Sequence, residues 1–195
     1  MARRTRPTRP IRPLHLFICE DAKSSKFYME GLGKSNNINL KAENCYGTSP
    51  ENVLRAAEEK RALFLDEGTA TIYCLFDKDD CENVKFKQVV AECRKKGIVP
   101  VISVPCYEYW LLLHLKKTDK AFNDVKECCE AFKNAYNKEF RTDFNIKQLK
   151  ARKEIFEDLK DKLKPAIKNA ESLNLDENES PYTNMHEVIK GIIKN

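Results

Sequence analysis

The 195-residue chain has no apolar stretch approaching the ~18 residues that a helix needs to cross a bilayer, no phosphate loop of the Walker type, and no C-x-x-C pair among its eight cysteines. The first absence argues against a membrane protein, and the second assigns any ATP hydrolysis to a partner. The third argues against a structural zinc centre built on the usual ligand spacing. No internal repeat is visible, and no order of Ser, His and Asp resembles a hydrolase triad. No signal peptide precedes the cysteines, several of which lie inside apolar runs. They therefore read as small buried hydrophobes of a reduced, cytoplasmic protein. The adjacent Cys128 and Cys129 fit a helix with one side buried. The length allows a full core in one domain, or one domain with an appendage, and excludes a two-domain polymerase or topoisomerase.

What is present is charge. Charged residues make up 33% of the chain, the net charge is +5 and the pI is about 8.7, a balance that suits a partner of polyanions without establishing one. Residues 1–13 hold five arginines (Arg3, Arg4, Arg6, Arg9 and Arg12) and three prolines with no acid. The prolines block a regular helix, and with it a transit peptide. The segment is a semi-extended tail, which either lays its guanidinium groups along phosphates or is an inert terminus.

From Leu14 onward, strand-like and helix-like segments alternate, which predicts an α/β sandwich with a mostly parallel sheet of about four strands and crossover helices. The expected strands are 14–19, 38–45, 71–76 and 98–104. The expected helices are 23–31, 50–65, with Ser49 as N-cap and Pro50 at the first helical position, and 84–96. The segment YEYWLLLHL then reads as a buried helix. Residues 14–116 are expected to form the core and 117–195 a charged helical extension packed on it. In that extension Ile146, Leu149, Ile155, Phe156, Leu159 and Leu163 fall at helical spacing, Pro165 should kink or break the helix, a polar stretch 174–182 follows, and a short last helix spans about 185–193.

Glu20, Asp77 and Asp79 each sit just past the end of an apolar run, in LHLFICEDAKSS and TIYCLFDKDD. The carboxyl ends of parallel strands are where open α/β sheets bind ligand. If the two strands are neighbours, these acids converge on one rim, where several carboxylates stay ionised together only around a cation, Mg²⁺ or alternatively Mn²⁺. Each acid also has a structural reading. Glu20 and Asp21 suit a helix N-terminus, and Asp favours turns. The D-x-D spacing tips the balance, because carboxylates separated by one extended residue point the same way.

Together ICEDAKSSKFYMEGL, LFDKDD, SVPCYEYWLLLHL and SPYTNMHEVIKGI make the chain resemble the RloB-like branch of the TOPRIM domains over nearly everything after residue 13. The most specific part is the Pro, aromatic, Glu and Trp order between Pro105 and Leu115. The resemblance implies a TOPRIM-like, Rossmannoid sheet, a Mg²⁺-dependent site and a role in bacterial defence against phage, often beside an ATPase partner. It implies that Glu20 is a general acid/base or metal ligand and that Asp77 and Asp79 hold Mg²⁺. Asp80 extends the acidic run. Glu108, in CYEYW, either reaches the same rim or partners a buried Arg, Lys or His.

Lys23 and Lys26 near the first turn are candidate phosphate contacts, or else solvated helix lysines. The turn EDAKSS lacks the glycine that would bring backbone close to phosphate. His114 reads as a core residue of its helix, and His15 as facing the opposite side of the sheet from Leu14 and Leu16. Two functions follow: a Mg²⁺-dependent nuclease acting on RNA or DNA, or a non-catalytic subunit that docks on an ATPase and keeps the acidic rim as a relic or regulatory metal site. A homo-oligomer is compatible with either.

Overall fold

The computed structural model describes residues 12–20, 23–45, 47, 49–64, 70–78, 82–173, 175–177 and 179–194. Apolar runs form β1 (Leu14–Cys19), β3 (Ala70–Asp77) and β4 (Val99–Val104), and the shorter, more polar Leu40–Asn44 forms β2. Between them run α1 (Ser24–Ser35), α2 (Pro50–Phe64) and α3 (Asn83–Lys95). Ser49 opens α2 as expected, its Oγ accepting from the Asn52 N–H at 3.4 Å while Pro50 takes the first helical position.

The sheet order is β2-β1-β3-β4-β5, with the first four strands parallel. The fifth strand, β5 (Tyr182–Thr183), pairs antiparallel with β4 and adds one strand to the expected sheet. Two residues in a polar stretch carry no readable alternation. A side chain extends their pairing: the Asn184 carboxamide donates to the Pro100 carbonyl at 3.0 Å and accepts from the Ile102 N–H at 2.8 Å, continuing the ladder along β4.

Both faces of the sheet are covered, which is why β1, β3 and β4 are nearly continuously apolar. On one face Leu16, Ile18, Ile72, Cys74, Phe76 and Ile102 pack with α2 and α3 residues such as Val53, Phe86 and Val90. On the other, Phe17, Cys19, Tyr73, Leu75 and Val101 meet Tyr28, Met29 and Leu32 of α1 and the helices that follow β4. Those helices are α4 (Glu108–Leu115), α5 (Val125–Phe140), α6 (Ile146–Lys150), α7 (Ile155–Leu159), a 3₁₀ turn (Lys160–Lys162), α8 (Leu163–Leu173) and, after β5, α9 (Met185–Lys194). The α4 helix is buried all round, which accounts for its lack of a polar stripe.

The expectation of one helix broken at Pro165 needs correction. The breaks fall at 151–154 and at the 3₁₀ turn, and Pro165 sits in the first turn of α8, where its missing N–H costs nothing. Asn145 and Gln148 close a reciprocal capping box at the start of α6. Gly31 lets α7 approach α1, since a Cβ there would lie 2.5 Å from the Cβ of Phe156.

Candidate active site

The connection out of β1 leads to β2 on one side, whereas the connection out of β3 leads to β4 on the other. The chain therefore diverges between the carboxyl ends of β1 and β3, the position where open α/β sheets form a ligand crevice. Glu20 and Asp77 stand at that point. Glu20 directly follows β1, and its own N–H donates to the Leu75 carbonyl of β3 at 3.4 Å. Its Oε2 accepts from the Asp77 N–H at 3.4 Å, so the glutamate reaches over the end of β3. Asp77 is the last residue of β3 and pairs in register with Ser103 of β4, and the next N–H, that of Lys78, donates to the Ser103 carbonyl at 3.0 Å. Central-strand pairing thus fixes the backbone of Asp77. Both carboxylates are partly solvent-accessible, and Oδ1 of Asp77 is shielded. The end of β2 joins this rim through Cys45, whose N–H donates to the Cys19 carbonyl at 3.0 Å. Burial first, and the charge of Glu20 second, push the Cys45 thiol up.

Asp79 and Asp80, expected beside Asp77, lie outside the described residues, as do Asp21 and the arginines Arg3, Arg4, Arg6 and Arg9. Arg12 precedes β1 and so lies at the end of the sheet opposite the rim. Its guanidinium donates to the Asn37 carbonyl at 3.0 Å and to Asn37 Oδ1 at 2.9 Å. Lys23 flanks the start of α1 and is exposed, and Lys26 lies 3.8 Å from Glu30 on the same helix.

Glu108 has the environment of the structural alternative held open for it. Its side chain is 1% exposed and lies 3.2 Å from the Lys150 ammonium of α6. Oε1 accepts from Ser24 Oγ at 2.9 Å, and Oε2 faces Cys129 Sγ at 3.6 Å. One carboxylate thus ties α1, α4, α5 and α6 together. Burial disfavours the Lys150 ammonium, but Glu108 and the neighbouring thiols outweigh it and hold its pKa above the ordinary lysine value. Contact with Cys106, then burial and the Glu108 charge, push the Cys129 thiol well up. Among the described residues, the group of three His, Cys, Asp or Glu side chains compact enough to hold a metal is Cys106, Glu108 and Cys129, with ligand atoms all within 4.8 Å of one another. Sequence spacing does not reveal this group. Cys106 and Glu108 are close in sequence, but Cys129 and Lys150 arrive from separate helices.

Tyr107 lies between the two regions. Its hydroxyl is buried with no hydrogen-bond partner among the described residues, and burial, followed by the charges of Tyr28, Cys19, Glu108 and Asp77, pushes its pKa well above the ordinary phenol range. His114 is a core residue, as expected. Its Nδ1 is 3.0 Å from the Trp110 carbonyl, which can only accept, so Nδ1 carries the proton and Nε2 accepts from the Tyr28 hydroxyl at 2.9 Å. Burial holds this neutral imidazole at a pKa of about 4. His15 shares the face of Phe17 and lies 2.9 Å from the Tyr73 hydroxyl. No described helix is long and apolar enough to cross a membrane.

No curated protein and no solved structure matches the chain. A family model described as RloB-like protein matches residues 15–192, nearly its whole length, and the chain belongs to the RloB-like family.

Proposed function

We propose that the protein is a Mg²⁺-dependent phosphodiesterase with a TOPRIM-type site that cleaves RNA or DNA, acting as the effector of an anti-phage defence system beside an ATPase partner. The observation that carries this reading is the meeting of Glu20 and Asp77 at the divergence of β1 and β3, where Glu20 Oε2 accepts from the Asp77 N–H. The donor set fits a hard cation, because it consists of carboxylate oxygens on rigid strand ends. Asp77 and Asp79 would hold Mg²⁺, with Mn²⁺ as a substitute and Asp80 close by. When bound, the ion supplies Lewis-acid neutralisation of the charge that gathers on a phosphate under attack.

The protein's own residues position and move protons. Held over the end of β3 by the Asp77 amide, the Glu20 carboxylate accepts a proton from an attacking water without having to swing into place. Asp77 is held by its register with Ser103 of β4 and by the bond from its N–H to Glu20. Lys23, and the arginines of the tail, supply positive charge for the nucleic-acid backbone. The charged helices after Lys116 offer the surface for a protein partner.

The deciding experiment incubates purified protein with total RNA and with plasmid DNA, with and without Mg²⁺ or Mn²⁺, beside an Asp77→Ala variant. Metal-dependent cleavage that Asp77→Ala abolishes is expected. Equal residual cleavage by both proteins, or none by the wild type beside its partner, refutes the reading in favour of a non-catalytic docking subunit.

A further inference from the structure

We propose that Cys106, Glu108 and Cys129 form a buried binding site for one Zn²⁺ ion, with Lys150 as its internal counter-charge, in addition to the carboxylate rim. The three ligand atoms lie within 4.8 Å of one another, and Cys129 Sγ is 3.6 Å from Glu108 Oε2. A tetrahedral centre with Zn–S of about 2.3 Å and Zn–O of about 2.0 Å separates a sulfur from an oxygen by about 3.5 Å and two sulfurs by about 3.8 Å. The Cys129 to Glu108 spacing already matches, and the other separations, at most 4.8 Å, need to close by no more than about 1.3 Å. Two sulfurs and one oxygen select a borderline-soft cation over Mg²⁺, which prefers oxygen alone. The fourth position falls to water, which keeps the site neutral.

Charge bookkeeping supports the same choice. Without metal, two neutral thiols, one carboxylate and the Lys150 ammonium sum to zero. With Zn²⁺, two thiolates, the carboxylate, the ammonium and the ion again sum to zero, and two protons leave to solvent. A site 1% exposed at Glu108 tolerates only such balanced states. Lys150, whose side chain is 32% exposed, gives the ion a way in, because its ammonium can retreat along its own stem toward solvent. The binding step breaks two S–H bonds and forms two Zn–S bonds with no change of oxidation state.

The test titrates reduced, chelator-stripped full-length protein with Co²⁺ and follows absorbance. One equivalent should raise a thiolate-to-Co²⁺ charge-transfer band with release of about two protons, and one equivalent of Zn²⁺ should then erase the band by displacing Co²⁺ without further proton release. Millimolar Mg²⁺ should leave the band unchanged. Loss of a direct ligand in Cys129→Ser should weaken Co²⁺ binding by more than about 100-fold, whereas Cys93→Ser, on the other face of the sheet, should not alter it. X-ray absorption of the wild-type zinc complex gives a measurement independent of any variant's folding. It should show two sulfurs at about 2.3 Å. Absence of the band through several equivalents, a band unmoved by Cys129→Ser, or a shell of nitrogen and oxygen alone overturns the proposal.

Discussion

Glu20 follows β1 and Glu108 follows β4, so both carboxylates leave the carboxyl ends of parallel strands, yet their surroundings are opposite. Glu20 remains partly exposed and accepts a backbone N–H beside a second acid. Glu108 is buried, and a lysine, a serine hydroxyl and a thiol surround it. The difference comes from what covers each strand end. Glu20 meets the end of β3 and the Asp77 amide, whereas α5 and α6 bring Cys129 and Lys150 to Glu108. The first carboxylate keeps solvent access, and the second is part of the packing. The comparison teaches that strand-end position nominates an acid for function, while the helices added after β4 decide whether it keeps its access to solvent.

The largest break in that comparison should come from the rim. Asp77→Ala should reduce metal-dependent cleavage by about 10³-fold, the scale of a lost electrostatic contact to a developing charge, while leaving the unliganded melt within about 1 kcal/mol. Metal should raise the wild-type Tm, as binding to the native state must, and Asp77→Asn should cancel that rise. Glu20→Gln, expressed beside the partner, should lose phage protection. Full protection by that variant at wild-type levels would show that the rim performs no chemistry.

The buried glutamate should respond in stability instead. Lys150→Met leaves the Glu108 charge without its cation and should cost metal-free protein about 3 kcal/mol, or roughly 10 °C in Tm. This is the lower end of the range for buried pairs, because the lysine side chain is a third exposed. Adding Glu108→Gln should restore more than half of the loss. If Lys150→Met alone melts like wild type, the pair contributes nothing and the contrast with Glu20 collapses.

How much of this was legible beforehand differs by residue for physical reasons. Strand β1 was readable to the residue, because an unbroken apolar run lies between Pro13 and Glu20. The position of Glu20 followed from that boundary, and its meeting with Asp77 followed once the strands proved adjacent. Strand β5 was not readable, since two residues held by pairing with β4 and by the Asn184 side chain have no period of their own. Pro165 misled because proline signals both helix interruption and a helix's first turn, and only the break before it separates the two. The Glu108 group was half readable: an acid after a strand was visible, but its lysine and its second cysteine come from α6 and α5, and tertiary packing alone brings them there.

Acid should sharpen the contrast more gently. His114 is neutral and buried, with a folded pKa of about 4 against 6.5 for the free side chain. Below pH 6.5 the unfolded chain takes up a proton that the folded chain refuses, so the stability present above that pH falls as pH drops toward 4. From about pH 7 to about pH 5 the loss should be about 2 kcal/mol from this residue. His15 and His186, which burial also shifts downward, add in the same sense. His114→Gln should flatten the slope of urea-derived stability against pH over that interval. An unchanged slope would mean that His114 takes up its proton over the same pH range in the folded and the unfolded chain.

The smallest effect concerns the tail, and it tests whether the two ends of the sheet cooperate. Arg12 is anchored to Asn37 at the amino end of β1, and the rim lies six strand residues away, about 20 Å. Nine and eight extended residues reach about 30 Å and about 26 Å, so Arg3 and Arg4 can span the sheet to a nucleic acid on the rim, while Arg6 and Arg9 meet its backbone nearer the edge. Deleting residues 1–11 keeps Arg12 and removes Arg3, Arg4, Arg6 and Arg9. If all four contact phosphates, the slope of log affinity against log salt should flatten by about 3, taking roughly 0.7 to 0.9 per contact. The Tm should not move, because a segment rich in arginine and proline has little apolar surface to bury. Cleavage at saturating substrate should also hold, since the tail would contribute binding rather than chemistry, while KM rises. An identical salt slope before and after truncation would show that the arginines meet no phosphate, leaving the charge near the rim as the whole of the electrostatic attraction.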